Sequence, residues 1–302
     1  MRFAGFVLCT LLFTSAVAYE IPRVAPVGEP TTYKVVAGEA LSLQVFKPMG
    51  WSAADRRPAL VFFHGGGWVQ GQPAQLARQC HYLASRGLVA ITVQYRLMPK
   101  ATYRPGELPL VCIADAKSAF RWVRAHAAQL GIDHARLGAG GGSAGGYLAA
   151  MLGLVPGFDD PADDHAVPLA PAALVLFNPA LGYRVGDPVD AGMAERQEER
   201  LGEFLRHSPA NHVGAGAPPT IIHHGDQDTA IPPAQIRRFA ELMRTAGVRC
   251  EAIFYPGQGH SFFNYDKAGG RNFVETMIAT DRFLASLGWL AGEPTLTLPA
   301  PR

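Results

Sequence analysis

Leu137-Gly-Ala-Gly-Gly-Gly-Ser-Ala-Gly-Gly-Tyr147 is the stretch whose reading decides the fold of this chain. Within it, Gly141-Gly142-Ser143-Ala144-Gly145 fits the pattern G-x-S-x-G, in which a strand stops and a helix starts at one sharp turn. The serine at the apex is held in a strained backbone conformation, with its side chain exposed above the sheet. Glycines flank it because a Cβ there would collide with the neighbouring strand and helix. Leu148-Ala-Ala-Met-Leu152 then continues as a buried helix, as such a turn requires. Taken alone, the pentapeptide also fits a glycine-rich loop whose serine caps a helix. The rest of the chain decides between the two.

Short apolar runs surround this stretch and read as strands buried on both faces: Pro58 to Phe63, Val89 to Tyr95, Ala173 to Phe177 and Thr220 to His224. Cys250 to Tyr255 reads as the last strand. Helices are expected over Gln75 to Arg86, Val111 to His126, Gln235 to Ala246 and Phe273 to Leu287. Thr31 to Val36 and Leu41 to Phe46 alternate as an opening hairpin, with Ala37 to Ala40 as its turn. Buried strands alternating with helices imply the α/β class, a mostly parallel central sheet with helices on both faces. The interval from the strand ending at Phe177 to the strand starting at Thr220 is long for a simple crossover, so residues 182–216 are expected to make an excursion over the mouth of the site.

A serine hydroxyl becomes a good nucleophile only when a base takes its proton and a third group holds that base. With a serine on such an elbow, the acid is sought past a later strand and the histidine past the last one. Asp228, in Gly225-Asp226-Gln227-Asp228-Thr229, lies at the carboxyl end of the strand ending at His224, where ligands of open α/β sheets gather. Asp226 is its rival, and its place suits shaping the turn. His260 lies in Gly257-Gln258-Gly259-His260-Ser261, after the last strand and before the last helix. His64-Gly65-Gly66-Gly67 follows the first buried strand directly and supplies backbone N–H groups for a developing oxyanion. Losing one such donor typically costs about 3 kcal/mol of barrier. These features, in this order, point to nucleophilic acyl transfer at Ser143.

Composition bounds the alternatives. Met1-Arg2, an apolar run from Phe3 to Phe13 and Ala16-Val17-Ala18 read as a secretory signal peptide over residues 1–18, cleaved before Tyr19. Residues 19–290 are then the catalytic domain, and 291–302 a Pro-rich, loose tail. A secreted or periplasmic location follows, with no membrane partner once the leader is removed. A net charge of +2 without a basic cluster implies no nucleic-acid partner. The mature part keeps Cys80, Cys112 and Cys250, an odd number. Cys80 and Cys112 fall on helices expected on opposite faces of the sheet, too far apart for a disulfide. Adjacent His223 and His224 point to opposite faces of a strand and so cannot chelate one ion. Asp159, Asp160, Asp163 and Asp164 read as a solvated loop rather than a Ca²⁺ site. No metal is expected.

At His64-Gly-Gly-Gly-Trp68, Gly141-Gly-Ser-Ala-Gly-Gly146, Gly225-Asp-Gln-Asp228 and Gly259-His260 the chain resembles α/β-hydrolases of the esterase group. The likeness runs from about Thr31 to Leu287. It is closer to the feruloyl/acetyl-esterase-like (BD-FAE-like) enzymes than to hormone-sensitive-lipase-like esterases, whose N-terminal helical cap has no room here. Gly142 departs from relatives that carry Asp or Glu before the serine. The resemblance implies Ser143 as nucleophile, His260 as general base and acid, and Asp228 as the orienting acid. It implies an oxyanion hole of the Gly66, Gly67 and Ala144 N–H groups, with Gly65 as a substitute, and no cofactor. The implied activity is a secreted carboxylesterase for short acyl groups, acetyl or feruloyl on carbohydrate, with a polysaccharide or small ester as substrate. Trp68 and Phe262 are candidate substrate-binding residues, since both follow catalytic loops. A serine peptidase, an arylformamidase-like amide hydrolase and a non-catalytic binding module share the same sequence features as alternatives.

Overall fold

A computed structural model describes residues 18–104, 106–182, 204 and 206–299. The apolar runs form the middle of one sheet built from β1 (Glu29–Val36), β2 (Glu39–Phe46), β3 (Arg57–Phe63), β4 (Val89–Val93), β5 (Ile132–Gly142), β6 (Leu174–Phe177), β7 (Thr220–Gly225) and β8 (Cys250–Tyr255). The eight strands lie in the order β1-β2-β4-β3-β5-β6-β7-β8. β2 pairs antiparallel with β1 and β4, and every other pairing is parallel.

Among the described residues, the long helices are α1 (Ala77–Ser85), α2 (Leu110–Ala125), α3 (Ala144–Leu154), α4 (Pro233–Thr245) and α5 (Arg271–Ser286). β3 shows why its run is apolar throughout. Val61 and Phe63 face the core shared with α2, α3 and α4, while Leu60 and Phe62 face the core shared with α1 and α5. A strand covered on both sides has no position for a polar residue. α3 starts directly at the elbow and is buried from Ala144 to Leu152, which explains its lack of a polar face. Cys80 lies in one core and Cys112 in the other, and the three described cysteines are free thiols.

Four expectations need correction. The opening hairpin turns on two residues rather than four, because Ala37 (φ 50°) and Gly38 (φ 85°) both adopt the left-handed backbone of a tight turn. The tail is tied down as far as it is described. Leu296 is buried beside Trp289 and Leu290, and Thr295 O accepts the Tyr19 N–H at 2.9 Å. The acidic loop is not a solvated one. Asp159 pairs with Arg121 at 2.6 Å, Asp160 with Lys34 at 2.6 Å and Asp163 with Arg121 at 3.4 Å, so cations of α2 and β1 fold it down. The helix expected from Gln75 starts at Ala77, after a 3-10 turn over Pro73–Leu76.

The signal-peptide reading over residues 1–18 lies outside the described residues except at Ala18, and most of the expected excursion, at 183–203, lies outside them too.

Candidate active site

Parallel strands end on one edge of the sheet, and β5, β7 and β8 deliver the three expected side chains there. Ser143 takes φ 53° and ψ −116° between β5 and α3, a conformation costing a side-chain-bearing residue about 1–3 kcal/mol. The elbow closes only because of what its glycines lack. A Cβ on Gly145 would lie 2.0 Å from Phe63 O, and one on Gly142 would lie 2.4 Å from the Phe263 ring. The second contact accounts for the departure at Gly142. Phe263, stacked on Phe177, occupies the space that an Asp or Glu side chain would need.

His260 Nε2 stands 2.9 Å from Ser143 Oγ, and its Nδ1 stands 2.8 Å from Asp228 Oδ2. A carboxylate only accepts, so the ring proton sits on Nδ1 and the Nε2 lone pair faces the serine hydroxyl. The other carboxylate oxygen, Asp228 Oδ1, accepts the N–H groups of Ala230 and Ile231, each at 2.9 Å. Burial pushes the Asp228 carboxyl up, but the bonds from His260 and Ile231 outweigh it and hold the acid below the usual carboxylate value. It is therefore an anion at neutral pH and stabilises positive charge on His260. Asp226 does what its position suits. Its Oδ1 accepts the Gly257 N–H at 2.7 Å and ties the acid loop to the histidine loop.

The glycine loop also divides its work. Gly65 N–H donates to Gln75 Oε1 at 2.6 Å, which removes Gly65 as a substitute oxyanion donor. Among the described residues, the Gly66 and Gly67 N–H groups donate to no protein acceptor. Ala144 is the first residue of α3, where an N–H has no partner within the helix. His64 is a structural residue. It stacks on Tyr95 at 4.2 Å, and the Tyr95 hydroxyl donates to His64 O at 2.7 Å. Burial lowers its pKa and keeps it neutral.

The candidate binding residues separate. Trp68 is half-buried and packs edge-on against Tyr103, Tyr147 and Phe204. Phe262 is buried against Tyr255 and Phe263, so it is a packing residue, in correction of its expected role in binding. His223 and His224 point to opposite faces as expected. His223 is held between the Tyr255 hydroxyl at 2.8 Å and Thr280 Oγ1 at 2.9 Å, and burial pushes it down to about 3. His224 Nε2 donates to Ile231 O at 3.0 Å and lies 3.7 Å from Asp228 Oδ2. Its part in shaping the acid loop was not read from the sequence, nor were those of Gln75 and Tyr95. Only the adjacency of His224 to the acid loop could have flagged it.

Known proteins share this fold and much of this sequence. The BD-FAE family model matches residues 43–243, and the dienelactone hydrolase family model matches residues 204–290. The probable carboxylic ester hydrolase LipM of Mycobacterium tuberculosis is 28% identical over 262 residues, 83% of this chain and 59% of LipM. The chain thus spans less than two thirds of that curated relative. The thermophilic esterase Est2 of Thermogutta terrifontis, solved with propionate bound, is 43% identical with a TM-score of 0.80, covering 90% of this chain and 98% of Est2. The same enzyme phosphorylated by paraoxon matches at 40% identity and a TM-score of 0.79, covering 91% of this chain and 100% of that one. Matched by the family model over residues 43–243 and by its fold along nine tenths of its length, the chain belongs to the BD-FAE family of α/β-hydrolase esterases.

Proposed function

We propose that this protein is a secreted serine carboxylesterase that hydrolyses short-chain acyl esters, acetyl or feruloyl, carried on carbohydrate. The observation that carries the reading is the continuous line from Asp228 through His260 to Ser143 Oγ, with bonds of 2.8 and 2.9 Å. Ser143 Oγ attacks the ester carbonyl carbon while its proton passes to His260 Nε2. The carbonyl oxygen becomes an anion facing the N–H groups of Gly66, Gly67 and Ala144. The C–O bond to the alcohol breaks, and the alcohol leaves with the proton from His260. Water gives a proton to the same nitrogen as it attacks the acyl-Ser143 ester; the acyl C–Oγ bond then breaks, His260 returns the proton to Ser143 Oγ, and the acid is released. Asp228 stays ionised throughout and keeps the ring in the required tautomer.

Support for a short acyl group comes from the propionate-bound state of Est2, and support for covalent chemistry from its phosphorylation by paraoxon. Export is supported by the residue 1–18 leader pattern. Acetate release from acetylated xylan fragments, with Ser143→Ala as control, tests the substrate. Release by the wild type alone supports the carbohydrate assignment. Turnover of an aryl acetate without release from xylan removes it and leaves the esterase. Export predicts that protein recovered outside the cytoplasm begins at Tyr19, and recovery with Met1 still attached contradicts it.

A further inference from the structure

The end of β6 holds all three elements that carry the site. Ser143 N–H donates to Phe177 O at 2.8 Å, and Ala180 N–H reaches Ser143 O at 3.4 Å. Asn178 N–H donates to His223 O, on the strand that leads to Asp228, at 2.7 Å. The third link is a side chain. Asn178 Oδ1 accepts the N–H of Ser261, the residue directly after His260, at 3.1 Å.

Both partners of that bond sit in unusual backbone. Asn178 has φ 35° and Ser261 has φ 65°, the left-handed region that most side chains avoid and asparagine tolerates better. Asn178 is wholly buried, and its Nδ2 finds no protein partner among the described residues. Among the described residues, its side-chain bond is therefore the one to the histidine loop. His260 must meet Ser143 and Asp228 at once through opposite ring nitrogens, which leaves the loop little freedom.

We propose that Asn178 is a positioning residue for ester hydrolysis: its side-chain oxygen fixes the Ser261 amide and so holds the His260 ring between Asp228 and Ser143. The proposal rests on the catalytic reading of Ser143 given above. Asn178→Gly keeps the left-handed backbone and the amide bond to His223 while removing the acceptor. Asn178→Asp keeps an acceptor oxygen of the same shape.

Steady-state kinetics with p-nitrophenyl acetate provide the test. Displacing a reacting group by about 1 Å costs about a hundredfold in rate, so Asn178→Gly should lose about 10- to 100-fold in kcat with KM changed less than about threefold. Asn178→Asp should recover most of that kcat. Wild-type kcat in Asn178→Gly, or Asn178→Asp no faster than Asn178→Gly, would overturn the proposal. If Asn178→Gly does not fold, Asn178→Ser, with its shorter side chain, decides in its place, and wild-type kcat in that variant overturns the proposal. Wild-type protein without turnover would instead bring down the esterase reading, and this proposal with it.

Discussion

Asp228 and Asp115 are both aspartates with fully buried side chains, one bonded to His260 and the other to Lys34. Asp115, on α2, is bonded by Lys34 Nζ at 2.8 Å, by Arg96 Nε at 2.7 Å and by the Arg96 backbone N–H at 3.0 Å. Its partners are permanent cations, and they join β1, the segment after β4 and α2. Asp228 is bonded by two backbone amides and by one imidazole that can gain and lose a proton. A buried carboxylate saturated by fixed cations is an anchor. One that leaves half of its charge to a histidine can follow a proton transfer. The difference lies in the partners, so substitutions at the two sites should fail in opposite ways.

The largest effect should come from the group that Asp228 serves at a distance. Ser143→Ala should lower kcat for p-nitrophenyl acetate by about 10⁵-fold, with an unchanged melting temperature. Asp228→Asn should lower kcat by about 10³- to 10⁴-fold, because the amide favours the wrong histidine tautomer. Asp226→Asn should lower it far less, since Asp226 bonds a backbone amide and not the ring. Asp115→Asn should reverse the pattern. Leaving Lys34 and Arg96 without their carboxylate should cost about 3 kcal/mol of stability by urea unfolding, while kcat of the folded enzyme stays near wild type. Loss of kcat in Asp115→Asn at unchanged stability would erase the contrast.

The smallest effect concerns acid. Burial holds His223 near 3, whereas an unfolded histidine titrates near ~6.5. Below ~6.5 the unfolded chain takes a proton that the folded chain refuses. The stability contributed by His223 is thus fully present above ~6.5 and is lost as pH falls towards about 3. Asp228, held below its ordinary value, adds a further loss at the acid end of that range. His223→Gln should flatten the melting temperature against pH between ~6 and ~4, and an unflattened curve would place the acid sensitivity elsewhere.

The part of this molecule that could be read in advance is the part carried by local patterns. Runs such as Pro58 to Phe63 are apolar because both faces of β3 are covered, and that constraint is written residue by residue. Ser143, Asp228 and His260 were legible because parallel topology forces them to the ends of particular strands. What stayed hidden depends on contacts between distant segments. No local signal tells that Gln75 consumes the Gly65 amide, that Phe263 fills the space above Gly142, or that Asn178 holds Ser261. The acidic loop failed for the same reason, since its partners Lys34 and Arg121 lie far away in sequence. The tail failed because one leucine, Leu296, outweighs the proline-rich composition around it.

The most direct test of the account is to trap the acyl-enzyme. Wild-type protein mixed with p-nitrophenyl acetate and quenched in acid during the burst should gain the mass of one acetyl group, mapped to the peptide containing Ser143. Ser143→Ala should gain none. An acetyl group on another residue, or full turnover by Ser143→Ala, would contradict the assignment of Ser143 as the nucleophile.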